Sequence, residues 1–314
     1  MIDIFLAALT VLGLVLFETV SSIDNAVINA DVLSKMSARA RKWFLLWGLL
    51  FAVFFVRGLL PWLIVWVANP SLSPLGALTA TFSSDPLVIH TIEQSKPLLL
   101  LGGGVFLVFL FFHWLFMEPK NYGLRGEKTI HKFSIWFFAI VSILLAAIVW
   151  FAIQIDPLLA FSAVVGSTAF FITHGFKENA EQQERQLLDG NSNLSDMSKL
   201  LYLEVIDTTF SIDGVIGAFA FTMSIPLILI GNGIGAFVVR EMTIHNIENV
   251  KKYRYLKNGA MYSIFFLGTI MVLDAFGYEI PQYASPILTF AIIGYFFWKS
   301  KKELGQSVQK IPAN

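Results

Sequence analysis

Apolar residues fall along this chain in blocks of roughly 17–25 positions, the length of helix needed to cross a bilayer core, and short polar stretches separate them. The blocks predict spans over 3–32, 43–68, 97–117, 133–153, 156–175, 200–222, 225–242, 257–275 and 286–299, the last being the shortest. In hydrocarbon each must be a helix, because its backbone polar groups have no water to bond. The expected fold is therefore an all-α polytopic membrane protein with about nine transmembrane helices. Between the spans, 69–96 is rich in Pro and Ser and predicts an outer excursion with turns, and 176–199 predicts a short polar helix and a loop.

Polar residues break the apolar pattern at two related places. The stretch "ETVSSIDNAV" at 18–27 aligns without gaps on "DTTFSIDGVI" at 207–216, pairing Glu18 with Asp207, Ser22 with Ser211 and Asp24 with Asp213. In the span after each, "FFVR" ends at Arg57 and "FVVR" at Arg240. Acid, acid and arginine thus recur in the same order. An odd number of spans separates the copies, so they would run in opposite directions through the bilayer, an inverted-topology repeat with a site near the midplane. On this basis 1–117 is the first three-helix repeat, 118–199 the linking helices, 200–275 the inverted repeat and 276–314 the last helix and tail.

Composition sharpens the picture. The chain is 56% hydrophobic and only 14% charged, where soluble domains carry about 25% charged residues. Net charge is zero, which leaves no basic field for nucleic acid. There is no cysteine, which removes disulfides, thiolate metal sites and cysteine nucleophiles. The N-terminal block lacks a basic n-region and a small-residue cleavage site, so it reads as a retained helix. Of the 22 Lys and Arg, all but Lys96 and Arg57 lie on one side of the nine-span arrangement. The positive-inside rule puts that side in the cytoplasm, with the N-terminus outside, the C-terminus inside and the plasma membrane as the expected location.

A charged group at the bilayer centre costs at least about 2.5–3.5 kcal/mol, so intramembrane ionisable residues are functional candidates. Glu18, Ser22 and Asn25 share one helix face, as do Glu204, Asp207 and Ser211. Asp24 and Asp213 fall well off those faces, and a local break at "SSIDN" and "SIDG" would be needed to turn them inward. Carboxylates and amide oxygens are hard ligands suited to Mg²⁺, Ca²⁺ or Mn²⁺. Glu18, Asp24, Asn25, Glu204, Asp207 and Asp213 form the candidate metal set, with Arg57 and Arg240 as counter-charges or gates and Ser22, Ser211 and Asn232 as supporting polar groups. A structural ion-pair network and a proton relay are the other uses of such a cluster. An intramembrane aspartyl protease would want Gly-x-Gly-Asp, but "FSI" precedes Asp213, so no enzyme is expected. His113, His174 and His245 stand isolated in sequence; "GGG" at 102–104 and "GNGIG" at 231–235 read as close helix packing.

These stretches resemble the TerC family of integral membrane proteins. "E…SIDNAV" resembles its first acidic motif and "YLEVIDTTFSIDGVIGAFA" its second; "GIGAFVVRE" is similar to its arginine stretch, and "YLKNGAMYSIFFLG" to its third-helix signature. Gly214 stands where the common pattern has Ser in "DSIP", and Thr269 where a lysine is frequent, which marks a divergent branch. The resemblance implies a secondary transporter related to manganese exporters, with a divalent cation, Mn²⁺ favoured, as transported substrate and no resident cofactor. Calcium export and a non-transporting scaffold or metal-loading partner are the alternatives. It also implies that Glu18, Asp24, Asn25, Glu204, Asp207 and Asp213 carry the metal.

Overall fold

The computed structural model describes residues 4–34, 36–48, 51, 57–69, 71–79, 86–188, 196–245 and 247–309. Among them there are helices and no strands. In chain order these are α1 (Ile4–Ser21), α2 (Ile23–Ser34), α3 (Ala38–Trp43), α4 (Arg57–Ala68), α5 (Pro74–Thr79), α6 (Pro86–Phe116) and α7 (Glu127–His131). There follow α8 (Trp136–Ala152), α9 (Pro157–Leu188), α10 (Asp196–Ala218), α11 (Ile225–His245), α12 (Ile247–Lys251), α13 (Leu256–Ala275) and α14 (Ala284–Gln309).

Among the described residues, five helical segments are long and apolar enough to cross a membrane: Ile4–Ser21, Glu93–Phe116, Pro157–Lys177, Ile225–Thr243 and Leu256–Ala275. The architecture is that of a helical membrane protein. Its outer surface agrees, because Ile143, Trp150 and Phe151 of α8 and Leu158, Phe161 and Ile172 of α9 all stand exposed. An apolar face of that extent suits lipid and not water. Arg57–Val67 and Trp136–Ala152 are apolar but shorter.

Some boundaries differ from the sequence expectation. The 69–96 stretch is not all turns, since α5 lies within it and α6 already begins at Pro86. A proline at a helix start loses nothing, because its missing N–H has no intrahelical partner there. The polar stretch after 175 is not a separate helix, because α9 runs without interruption to Leu188. The second span contains a π-helical turn at Phe44–Gly48 between α3 and α4.

Glycines set the closeness of the packing. Gly102 of α6 and Gly166 of α9 place backbone against backbone, and a Cβ on Gly166 would overlap the Gly102 carbonyl. Gly104 meets Gly268 of α13, where an added Cβ would come 2.8 Å from the Gly268 carbonyl oxygen. Around α1, Gly231 of α11 and Gly217 of α10 seat Leu14 and Phe17, each closer than a methyl group would permit. Both glycine runs singled out in the sequence therefore serve helix packing. The large apolar core that results centres on α6, with Leu101, Phe106, Phe109 and Trp114 fully buried among α9 and α13.

Candidate functional site

Glu18 is held at the centre of the site by three helices. Gly214 of α10 and Gly235 of α11 both face it, and a Cβ on either would come 2.7 Å from its side chain. From α4, Arg57 donates to Glu18 Oε1 through Nε at 2.9 Å and through Nη2 at 2.6 Å. Ser22, one turn along, donates its hydroxyl to the same oxygen at 3.0 Å. Both Glu18 and Arg57 are almost wholly buried. The other arm of Arg57 reaches 3.8 Å from Asp207 Oδ2, and Asn25 of α2 donates to Asp207 Oδ1 at 2.5 Å. Residues from α1, α2, α4 and α10 thus converge on one buried network of two carboxylates, a guanidinium and an amide.

A second pair adjoins it. Arg240 of α11 lies 3.7 Å from Glu204 Oε1, one turn before Asp207 on α10. Its guanidinium also donates to the Phe44 carbonyl and covers the Phe44 ring at 4.0 Å. Gly48, at the end of the π-helical turn, leaves the space that the Glu204 carboxylate enters. The turn therefore brings both a carbonyl and a gap to the Glu204–Arg240 pair. Single π turns recur at functional sites.

Several oxygens here remain unsatisfied. Among the described residues, both carboxylate oxygens of Glu204 and the amide oxygens of Asn25 and Asn232 are buried without a hydrogen bond, and so is that of Asn29, one turn beyond Asn25. Asn232 is one turn before Gly235 on the α11 face that meets Glu18. A buried acceptor without a donor costs about 1–3 kcal/mol, so such oxygens call for water, a cation or a proton. Among the described residues, no three His, Cys, Asp or Glu side chains stand close enough to hold a metal ion together. Arg57 itself lies between Glu18 and Asp207.

The structure brings together Glu18, Ser22, Asn25, Arg57 and Asp207, with Glu204 and Arg240 beside them. Ser211 is buried but donates to the Asp207 backbone carbonyl at 2.6 Å, not to the site. The side chain of Asp24 lies outside the described residues, although its backbone is helical. Asp213 is a correction. No break occurs at "SIDG"; α10 runs unbroken from Asp196 to Ala218, so Asp213 turns away from Glu18 and pairs with Lys177 of α9 at 3.3 Å. In the first copy the helix is interrupted only at Ser22, and Ser22 N and Ala26 N still bond to the Glu18 and Ser22 carbonyls.

The histidines also differ from expectation. His113 and His174 are not isolated: their ring centroids are 3.9 Å apart, between α6 and α9. Nothing in the sequence spacing pairs them, because 60 residues and a helical hairpin intervene. The side chain of His245 lies outside the described residues. Asn29 was missed as well, although its +4 spacing from Asn25 put it on the same helix face.

Neither a curated protein nor a solved structure matches the chain. A family pattern does, over residues 23–304, a range that begins just beyond Glu18 and includes Asn25, Arg57, Glu204, Asp207 and Arg240. The chain belongs to the family described as protein of unknown function DUF475.

Proposed function

We propose that this protein is a secondary transporter that exports a divalent cation, with Mn²⁺ favoured, through the Glu18–Asn25–Asp207 cluster of a nine-span fold with an inverted repeat. The observation that carries this reading is the convergence of both acidic stretches, each with its arginine, on one buried place. Antiparallel packing supports the inversion. Lys96, in the first half of α6, pairs with Asp274 near the end of α13, and Glu118 just beyond the C-terminal end of α6 pairs with Lys257 at the start of α13. Those two helices lie in corresponding thirds of the two copies and so run oppositely, as an odd span offset requires.

The chemistry follows from charge. With the cation absent, Arg57 neutralises Glu18 and approaches Asp207, which keeps two carboxylates from repelling each other in a low-dielectric setting. An arriving divalent cation would displace the guanidinium and gather Glu18, Asp207 and the unsatisfied oxygens of Asn25 and Glu204. Arginine and cation then exclude one another, so loading and gating become one event. Manganese accepts this mixed carboxylate and amide set, and the TerC resemblance favours it over calcium. Plasma-membrane location, an outer N-terminus and a cytoplasmic C-terminus belong to the same reading.

Purified protein in liposomes, with a manganese-sensitive dye inside, tests it. Wild type should pass Mn²⁺, and Glu18→Gln and Asp207→Asn should each lower the rate by about tenfold or more, the loss of at least one charge-assisted contact. Equal rates in wild type and both variants would overturn the site. The scaffold alternative draws on the completeness of the Glu18–Arg57 pairing, and it gives no flux of any divalent ion.

A further inference from the structure

A second set of ionisable side chains lies between α6, α9, α10 and α13, with His113 buried and His174, Lys177 and Asp213 half-buried, and the cation site does not use it. His113 lies near the end of α6 and His174 in the same region of α9, with ring centroids 3.9 Å apart and planes inclined at 54°. The Phe137 ring stands edge-on to His113 at 5.4 Å, and the Phe170 ring stacks on His174 at 5.7 Å. The pair therefore sits in an aromatic box inside the bundle. We infer that His113 and His174 together form a proton-binding site that couples proton movement to transport, taking one proton from the side that carries the basic loops.

Electrostatics limits the pair to one proton. Two imidazolium rings at this separation would repel strongly in a poorly solvated site, so the second proton is excluded. Imidazole is also the side chain whose ordinary titration spans the physiological range. His113 Nδ1 is buried without a hydrogen bond and points toward Glu118 Oε1 at 3.6 Å, so a proton gained by the pair acquires a counter-charge at once.

The surrounding acidic and basic groups are equal in number. Among the described residues, the loop after α6 contributes Glu118 and Lys120, α7 contributes Glu127, α9 Lys177, α10 Asp213 and α13 Lys257. Glu118 pairs with Lys257 at 2.9 Å and Asp213 with Lys177 at 3.3 Å. Burial would raise the Glu118 carboxyl, but His113 and the Lys257 and Lys177 charges outweigh it and hold the group well below the usual carboxylate range. Burial pushes the Lys120 ammonium down to about 8, against the attraction of Glu127 and Glu118. Glu118 therefore stays anionic while the histidines load, and the network moves from neutral to one positive charge. The proton bonds to an imidazole nitrogen lone pair and no other bond breaks.

The geometry also offers a route from this pair to the cation site. His174, Lys177 and Asp213 line a common small void of about 10 Å³, near the size that admits a single water. The same α10 that presents Asp213 to Lys177 presents Asp207 to Arg57 and Gly214 to Glu18. A positive charge gained beside Lys177 loosens its hold on Asp213, which biases α10 and with it the spacing of Asp207 from Arg57. Coupling of this kind presupposes the transporter function proposed above.

Two measurements separate the claims. In liposomes carrying both manganese and pH dyes, a Mn²⁺ gradient across wild type should drive proton counterflow. His174→Gln should lose that counterflow while retaining Mn²⁺–Mn²⁺ isotope exchange, which needs no proton and also reports an intact fold. Counterflow unchanged in His174→Gln, or Mn²⁺ transport by wild type without any proton movement, overturns the inference. Independently of metal, ¹⁵N-histidine NMR in nanodiscs should show His113 and His174 titrating as a coupled pair, and Glu118→Gln should move that titration to lower pH. No coupled titration, or none that responds to Glu118→Gln, overturns it whatever the flux. A coupled titration in a protein that exchanges no divalent ion keeps the proton site and removes the cation-export reading instead.

Discussion

Arg57 shows most directly how the chain makes a buried acid tolerable. Its guanidinium donates two hydrogen bonds to one oxygen of Glu18 and extends toward Asp207, so one cation serves a carboxylate from each acidic stretch. Removing one partner of a buried pair typically costs about 3–5 kcal/mol, because the remaining charge has no compensation. Arg57→Met should therefore lower the thermal midpoint in detergent sharply. The double variant Glu18→Gln/Arg57→Met should recover most of the loss, because neither charge is then left alone. A double variant no more stable than Arg57→Met would show that Arg57 is held chiefly by Asp207. Most of this cluster was legible in the sequence, since acids and arginines inside apolar blocks announce themselves. Asp213 was not, because its identity matched the first copy while its direction depended on whether α10 breaks, and it does not.

At the scale of elements, closeness of approach decides what can meet. The bundle has little amphipathic segregation to guide it, so small residues set which helices touch and where. At the crossing of α6 and α9, Gly102 and Gly166 bring the backbones together, and further along the same interface His113 and His174 meet. Gly166→Ala would force backbone apart from backbone with no flexible side chain to yield. A loss of about 1–3 kcal/mol is expected from such overpacking, seen as a lower thermal midpoint. Gly294 on the exposed face of α14 has nothing within 4 Å of where a Cβ would lie. Gly294→Ala should instead be neutral or gain roughly 0.5–1 kcal/mol of helix stability. Equal effects of the two substitutions would remove the packing explanation. The glycine runs predicted tight crossings but not their partners; Gly104 finds Gly268 more than a hundred positions away, a pairing that no periodicity encodes.

For the whole molecule, zero net charge conceals a strong segregation. Most cationic residues lie outside the apolar blocks, whereas in the interior Glu18 and Asp207 share Arg57, Glu204 faces Arg240 and Asp213 pairs with Lys177. Element types and most helix positions followed from the apolar blocks. Less legible was α14, whose apolar part is short although the helix continues to Gln309, because its polar end extends a span that hydropathy alone truncates. That makes the last span the one on which the nine-span arrangement turns. The chain has no cysteine, so single substitutions report sidedness without background. Glu279 lies exposed before α14, and Gln306 lies exposed near its end. In right-side-out spheroplasts, an impermeant maleimide should label Glu279→Cys but leave Gln306→Cys unlabelled until the membrane is opened. Labelling of both from outside would place α14 along the surface, leave eight spans and put the C-terminal lysines on the outer face. The cytoplasmic C-terminus that the positive-inside rule assigns depends on the opposite result.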